Sequence, residues 1–201
     1  LGIYFHVSRG NEGRRFHGFP TDTKPTIFAM ALPLEKPLGV PDRSKKQGLK
    51  AHVAEDMRWR RCHVKSTALL GNILHFQQGF ELGNNETIMY NPLGELTEAS
   101  HSNVFIVKNG VVSTPPLDNQ ILPGITRHIT LESLRAAASI TVEERVVSMK
   151  EVHDADEIWI TNSNHQIAPV VELDGVPVGN GEVGEAWEKA MRIYEASKYD
   201  F

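Results

Sequence analysis

Apolar and polar residues alternate from the first position, Leu1-Gly2-Ile3-Tyr4-Phe5-His6-Val7, so the chain opens in the middle of a strand. The glycines, Asn and charges of residues 8–15 predict an exposed loop, and Thr26-Ile27-Phe28-Ala29-Met30-Ala31-Leu32 reads as a second strand. Pro33, Pro37 and Pro41, followed by Asp42-Arg43-Ser44-Lys45-Lys46, make an irregular polar connector. A boundary is expected there, with residues 1–40 as the tail of a smaller domain and residues 41–201 as a larger one.

Within the larger part, Lys50-Ala51-His52-Val53 reads as strand and leads to the basic run Arg58-Trp59-Arg60-Arg61. From Ser66 the spacing changes: Leu69, Leu70, Ile73, Leu74, Gln77 and Phe80 recur every three or four residues until Gly83-Asn84-Asn85, which predicts a half-buried helix. Strands are expected over residues 87–90, 103–107 and 110–114, the last two joined through Asn109-Gly110 as a two-residue hairpin turn. A helix over 126–138, strand at Val142 and at Val146-Val147, a short helix over 150–155 and a strand over 157–161 follow. The last strands flank Asp174-Gly175, and a helix closes the chain over 185–197. The fold class expected is α+β, a mixed domain with several antiparallel strands and no repeated unit.

Composition narrows the function classes. Hydrophobic residues make up 40% of the 201 positions and charged residues 23%, which excludes disorder and fibrous repeats. A net charge of −4 argues against a nucleic-acid partner. Cys62 is the only cysteine, so no intrachain disulfide can form, and a reducing cytoplasmic compartment is expected. No uncharged apolar run is long enough for a membrane span, and residues 1–7 lack the basic stretch of a signal peptide. Without an initiator Met, the native N-terminus is expected upstream of Leu1.

Candidate motifs differ in weight. Gly179, Gly181 and Gly184 fit GxGxxG, but the chain stops at Phe201, too soon for the second strand and acidic residue that a dinucleotide site requires; a glycine-rich turn before the last helix is the reading. Nine His residues show no metal-ligand spacing, so no metal is expected. Arg58, Arg60 and Arg61 read as a solvated face, and Cys62 as a packed core residue. Lys65 stands between the apolar run Cys62-His63-Val64 and the start of a helix. A lysine held partly desolvated at such a junction can form a Schiff base with an aldehyde.

Five segments carry a resemblance: Arg61-Cys62-His63-Val64-Lys65-Ser66; Leu96-Thr97-Glu98-Ala99-Ser100-His101-Ser102-Asn103-Val104-Phe105; Thr114-Pro115; Ile121-Leu122-Pro123-Gly124-Ile125-Thr126-Arg127; and Ala155-Asp156-Glu157-Ile158-Trp159-Ile160-Thr161. In this order the chain resembles the fold type IV pyridoxal-phosphate enzymes, the branched-chain and D-amino acid aminotransferase family. Ile167-Ala168-Pro169-Val170 and Leu173-Asp174-Gly175 continue it. The resemblance implies a large cofactor domain over 41–201, and over 1–40 the remnant of a small N-terminal α/β domain.

By that resemblance Lys65 carries pyridoxal 5'-phosphate and moves the proton between substrate and cofactor carbons. Glu98 pairs with the pyridine nitrogen and keeps it protonated. Gly124, Ile125 and Thr126 form the phosphate cradle at a helix start, Ser163 adds a second hydroxyl, and Leu122 packs on the ring face. The loop Arg15-Phe16-His17-Gly18-Phe19-Pro20 resembles the D-amino acid branch, in which Arg15 and His17 bind the substrate carboxylate from the neighbouring subunit of a homodimer. Arg14 competes for that role, and its spacing to His17 fits less well.

The resemblance therefore implies a transaminase that moves the amino group of a D-amino acid to a 2-oxo acid by a ping-pong route. A branched-chain L-amino acid aminotransferase and an aminodeoxychorismate lyase stay open within the family, and an inactive truncated binding module outside it. Ala68 stands where the family commonly has Asn, and His101 where it has a small hydroxyl residue. The family's phosphate-gripping Arg and a pocket Tyr belong to an earlier segment with no counterpart here.

Overall fold

Strand formation begins where the alternation does. In the computed structural model, which describes residues 1–34 and 41–201, β1 (Gly2–Ser8) pairs antiparallel with β2 (Thr26–Leu32), Gly2 opposite Leu32 and Ser8 opposite Thr26. His6 lies opposite Phe28 with ring centroids 5.5 Å apart. The 9–25 segment loops between the two strands. Pro37 of the expected connector lies outside the described residues. The chain divides into two units, Leu1–Gly39 and Val40–Phe201.

The second unit runs β3 (Leu49–Glu55), α1 (Leu70–Glu81), β4 (Glu86–Tyr90), β5 (Leu96–Ala99), β6 (Asn103–Lys108), β7 (Val111–Thr114), α2 (Ile125–Ala137), β8 (Thr141–Glu144), α3 (Met149–His153), β9 (Glu157–Asn162), β10 (Gln166–Leu173), β11 (Val176–Pro177) and α4 (Glu185–Ser197). In space the sheet is ordered β5-β4-β3-β10-β9-β6-β7-β8, with β11 beside β10. The β3–β4, β3–β10 and β7–β8 pairs are parallel and the others antiparallel.

This order forces the sheet to curl. β5 stands five places from β6, a separation of about 24 Å in a flat sheet at ~4.8 Å per strand. Only Ser100, His101 and Ser102 join the two strands, and the Cα path from Ala99 to Asn103 reaches no more than ~15 Å. The sheet therefore bends toward a half-barrel, giving the fold type IV architecture. One face packs Ala51, Ile88, Leu96, Val104, Ile106, Ile158, Ile160 and Val170. The other face, through Phe105, Val107 and Trp159, packs on Leu131 and Leu134 of α2 and on Trp187, Ala190, Met191 and Tyr194 of α4. Neighbours along β6 and β9 thus serve opposite cores, as a period of two requires.

Both hairpin turns form where expected, with positive φ at Asn109 (50°) and Gly110 (78°), and at Asp174 (50°) and Gly175 (77°). The predicted strand at Val146-Val147 is not a strand: Val147 is buried and its carbonyl accepts from Leu96 N–H at 2.8 Å, outside any ladder. α1 also departs from its pattern. Leu69, Leu70, Ile73, Leu74 and Phe80 face outward, while His75 and Gly79 are buried. Gly79 lets the helix backbone approach β4, where a Cβ would stand 2.4 Å from Thr87 Oγ1, and that hydroxyl donates to the His75 carbonyl at 2.7 Å. Hydrogen bonding to the sheet through the small and polar face outweighs the apolar stripe. Among the described residues no helix is long and apolar enough to cross a membrane.

Candidate active site

The Ser100–Ser102 turn that closes the curl carries Glu98 on one side and Asn103 on the other. Ala99 N–H donates to the Ser102 carbonyl at 2.7 Å, and Asn103 Nδ2 reaches Glu98 Oε2 at 3.2 Å and the Leu122 carbonyl at 2.8 Å. Leu122 N–H in turn donates to Glu98 Oε2 at 2.9 Å, and Gly124 N–H donates to the Leu122 carbonyl at 2.8 Å. Glu98, Leu122 and Gly124 are therefore one hydrogen-bonded array ending at the start of α2.

Gly124 has extended backbone at the N-terminus of α2, and no side chain caps that end. A Cβ at Gly124 would lie 2.2 Å from Asn103 Oδ1, so only glycine permits this close approach. The α4 N-terminus is different: Glu157 accepts from Ala186 N–H and Trp187 N–H, each at 2.9 Å. Gly179 and Gly181, at φ of 57° and 78°, turn the chain toward α4. With Glu157 filling the anion position, the GxGxxG run is a turn. A short capping box closes α3 as well. At α2 the N–H groups of Ile125, Thr126 and Arg127 have no side-chain acceptor, an arrangement suited to an anion. Arg127 anchors the helix by donating to the Pro115 carbonyl and to Glu144, each at 2.7 Å. The buried Thr126 side chain interacts with Tyr194 of α4.

Lys65 is exposed, on the segment between Cys62 and α1. That segment is tied to the loop before α2: Cys62 N–H donates to the Asn119 carbonyl at 2.9 Å, and Asn119 Nδ2 to the Arg60 carbonyl at 3.3 Å. His63, Leu117, Asp118, Asn119 and Pro123 line an open depression between the two. Cys62 is free and buried, its thiol donating to the Trp59 carbonyl at 3.1 Å. Ser163 is exposed in the turn between β9 and β10. The hydroxyl of Thr161, opposite Asn103 in the β6–β9 register, is buried and has no hydrogen-bond partner among the described residues.

Arg58 corrects the reading of the basic run. Arg60 and Arg61 are exposed as expected, but the Arg58 side chain is only 3% exposed and lies between Asp56 and Glu98 at 2.7 Å from each. The signal was present in Asp56-Met57-Arg58, where a carboxylate two residues before an Arg can pair with it. Burial raises the Glu98 carboxyl above its ordinary value, against the pull of the neighbouring guanidinium. Burial pushes Asp56 the same way, but its paired hydrogen bonds and charge contact with Arg58 outweigh that, and its pKa falls.

Arg15 and His17 lie on the 9–25 loop of the first unit, both exposed. The Arg14 guanidinium sits 4.6 Å from the Phe16 ring centroid. Among the described residues no cluster of three or more His, Cys, Asp or Glu has the arrangement of a metal site.

The second unit thus joins a buried, basic carboxylate to an open helix N-terminus, with a primary amine on an adjoining segment. These groups fit pyridoxal phosphate, whose phosphate the α2 N–H groups would hold, whose ring nitrogen Glu98 would face and whose aldehyde Lys65 would meet. The buried Thr161 hydroxyl, without a hydrogen-bond partner among the described residues, lies opposite Asn103 of the same array.

The family model for amino-transferase class IV matches residues 1–173. A D-alanine aminotransferase of Staphylococcus haemolyticus is 36% identical over 185 residues, and one of Bacillus licheniformis 35% over 183. Each alignment covers 91% of this chain and 63% or 62% of the relative, so the chain spans less than two thirds of their length. Among solved structures, the branched-chain amino acid aminotransferase of Thermobaculum terrenum in its pyridoxal-phosphate form superposes with a TM-score of 0.83 at 24% identity, covering 98% of this chain and 64% of that one. The norvaline-bound enzyme of Thermoproteus uzoniensis gives 0.78 at 28% identity, covering 96% and 63%.

Proposed function

The chain belongs to the amino-transferase class IV family, and from that premise we propose that it acts as a D-amino acid transaminase with pyridoxal phosphate as cofactor. It passes the amino group of a D-amino acid to a 2-oxo acid such as 2-oxoglutarate or pyruvate, in a ping-pong sequence. The observation that carries the proposal is the continuous array from Glu98 through Leu122 to Gly124, which spaces a ring-nitrogen partner and a phosphate site along one segment. Its direction toward D-amino acids rests on Arg15 and His17 and on the D-alanine aminotransferases among the relatives.

When bound, the cofactor supplies an aldehyde for amine condensation and a ring that takes up the electrons of the bond broken at the substrate carbon. Lys65 supplies the amine, and its Nζ shifts the proton across the site. Glu98, raised above an ordinary carboxylate, holds the proton at the ring nitrogen. The N–H groups of Ile125 and Thr126, with the hydroxyls of Thr126 and Ser163, hold the phosphate, and the Leu122 side chain keeps water from the ring face. Arg15 and His17 bind the substrate carboxylate of a partner subunit. The outward apolar positions of α1, Leu69, Leu70, Ile73, Leu74 and Phe80, support a homodimer.

The test is optical. The protein loaded with pyridoxal phosphate should lose its visible absorbance on addition of D-alanine and recover it with 2-oxoglutarate, while L-alanine has no effect. Bleaching by L-leucine instead places the chain among branched-chain enzymes, and pyruvate release from aminodeoxychorismate places it among the lyases. No response to any of them leaves a binding module.

A further inference from the structure

Asp56, Arg58 and Glu98 form a buried row of three charges, with side-chain exposures of 10%, 3% and 6%. Arg58 grips Asp56 with two arms, Nε to Oδ1 at 3.0 Å and Nη2 to Oδ2 at 2.7 Å, and turns Nη1 to Glu98 Oε1 at 2.7 Å. Its remaining contact is Nη2 to the Gln120 carbonyl at 3.3 Å. Asp56 is fixed from its other side by Thr97 Oγ1 at 3.1 Å and by Arg58 N–H at 3.0 Å. Gly71 of α1 closes over the arginine stem, where a Cβ would stand 3.2 Å from Arg58 Cγ. None of these residues has an apparent need for charge in a packed core, since buried ion pairs can be replaced by apolar side chains at little or no cost.

The charge count gives the row a purpose. Burial alone favours the protonated form of Glu98, and the Arg58 guanidinium at 2.7 Å pulls against that. A Glu98–Arg58 pair alone, however, would be neutral and would present a cation beside the ring. Two carboxylates against one guanidinium leave one buried negative charge, which a protonated ring nitrogen balances. We propose that Asp56, acting through Arg58, sets the negative charge that Glu98 presents to the cofactor ring, so that Asp56 and Arg58 are positioning residues of the site. The inference rests on the cofactor reading above.

The experiment compares two ligands on the 201-residue chain: pyridoxal phosphate, and its analogue with CH in place of the ring nitrogen. Both are titrated by fluorescence into the wild type and Asp56→Asn. The expected result is a loss of about tenfold in affinity for pyridoxal phosphate in Asp56→Asn, the size of one unit charge acting across a buried pair, with the analogue unchanged. Asp56→Glu, which restores the charge, returns the wild-type ratio, and Asp56→Ser repeats the asparagine readout should that variant not fold. Equal loss for both ligands shows a merely structural role and overturns the inference while the cofactor reading stands. A wild type that binds neither ligand overturns the cofactor reading and this inference with it.

Discussion

Replacing Glu86 tests whether the turn that carries Glu98 and Asn103 is held by one buried carboxylate. The Glu86 side chain is 0% exposed. Oε1 accepts from Thr87 N–H at 2.8 Å, from Ser100 N–H at 3.1 Å and from the Ser100 hydroxyl at short range; Oε2 accepts from Ser102 Oγ at 3.2 Å and pairs with His101 Nδ1 at 2.9 Å. In Glu86→Ala, Ser100 N–H keeps a second acceptor in the Thr87 carbonyl, and the half-exposed His101 can turn to water. The hydroxyls of Ser100 and Ser102 lose their acceptor in a buried site, at about 1–3 kcal/mol each. Relief of the carboxylate's desolvation offsets part of this, leaving a loss of about 3 kcal/mol. Urea unfolding should show the midpoint fall by roughly 1.5 M with unchanged slope. The same variant should bind pyridoxal phosphate more weakly, because the loosened turn carries Glu98. A loss below about 0.5 kcal/mol, the size of an ordinary surface change, would refute the reasoning.

The pair also fixes a pH dependence. Its hydrogen bond to Glu86 raises His101 above 6.5, so the stability it contributes is complete below 6.5 and is lost as pH rises through the raised value. Glu86 is lowered from 4.5: burial opposes this, and the His101 and Ser100 contacts outweigh it, so its contribution is complete above 4.5 and is lost as pH falls through the lowered value. Stability should therefore be greatest between about 4.5 and 6.5 from this pair, and His101→Gln should flatten the alkaline limb.

Other variants separate the remaining roles. Lys65→Ala should abolish transamination while inorganic phosphate still binds within about twofold of wild type, as isothermal titration can show. Arg15→Ala should raise KM for amino and oxo acids by roughly tenfold or more with a smaller change in kcat; unchanged KM excludes it from carboxylate binding. Gly124→Ala places a Cβ 2.2 Å from Asn103 Oδ1; it should cost about 1–3 kcal/mol in thermal unfolding and weaken cofactor binding. Leu74→Glu, on the outward face of α1, should convert a dimer to monomer in light scattering without loss of helix content.

Local signals carried most of the fold. The Asn109-Gly110 and Asp174-Gly175 turns, the α2 and α4 helices and the strands on either side were legible because each is set by short-range periodicity or turn chemistry. No local alternation predicts the strand Leu96–Ala99, whose residues stand out in the sequence only as part of a motif. Its place opposite β4, and the curl that follows, depend on a long-range order that no local pattern contains. The outward turn of α1 was hidden for the same reason: the apolar stripe is real, but Gly79 and Thr87 decide which face docks. The resemblance points to Glu98, Leu122 and Gly124, and in the structure hydrogen bonds join these three residues. The run of charges around Arg58 resembles a surface, whereas the carboxylates that pair with it come from Asp56 and from Glu98, forty residues on.

The proposed attachment of pyridoxal phosphate to Lys65 is tested most directly by borohydride reduction of the protein with pyridoxal phosphate, followed by peptide mapping. The prediction is a single reduced adduct on the peptide holding Lys65, lost in Glu98→Ala or Gly124→Ala at limiting cofactor. An adduct on another lysine, or none, would contradict it.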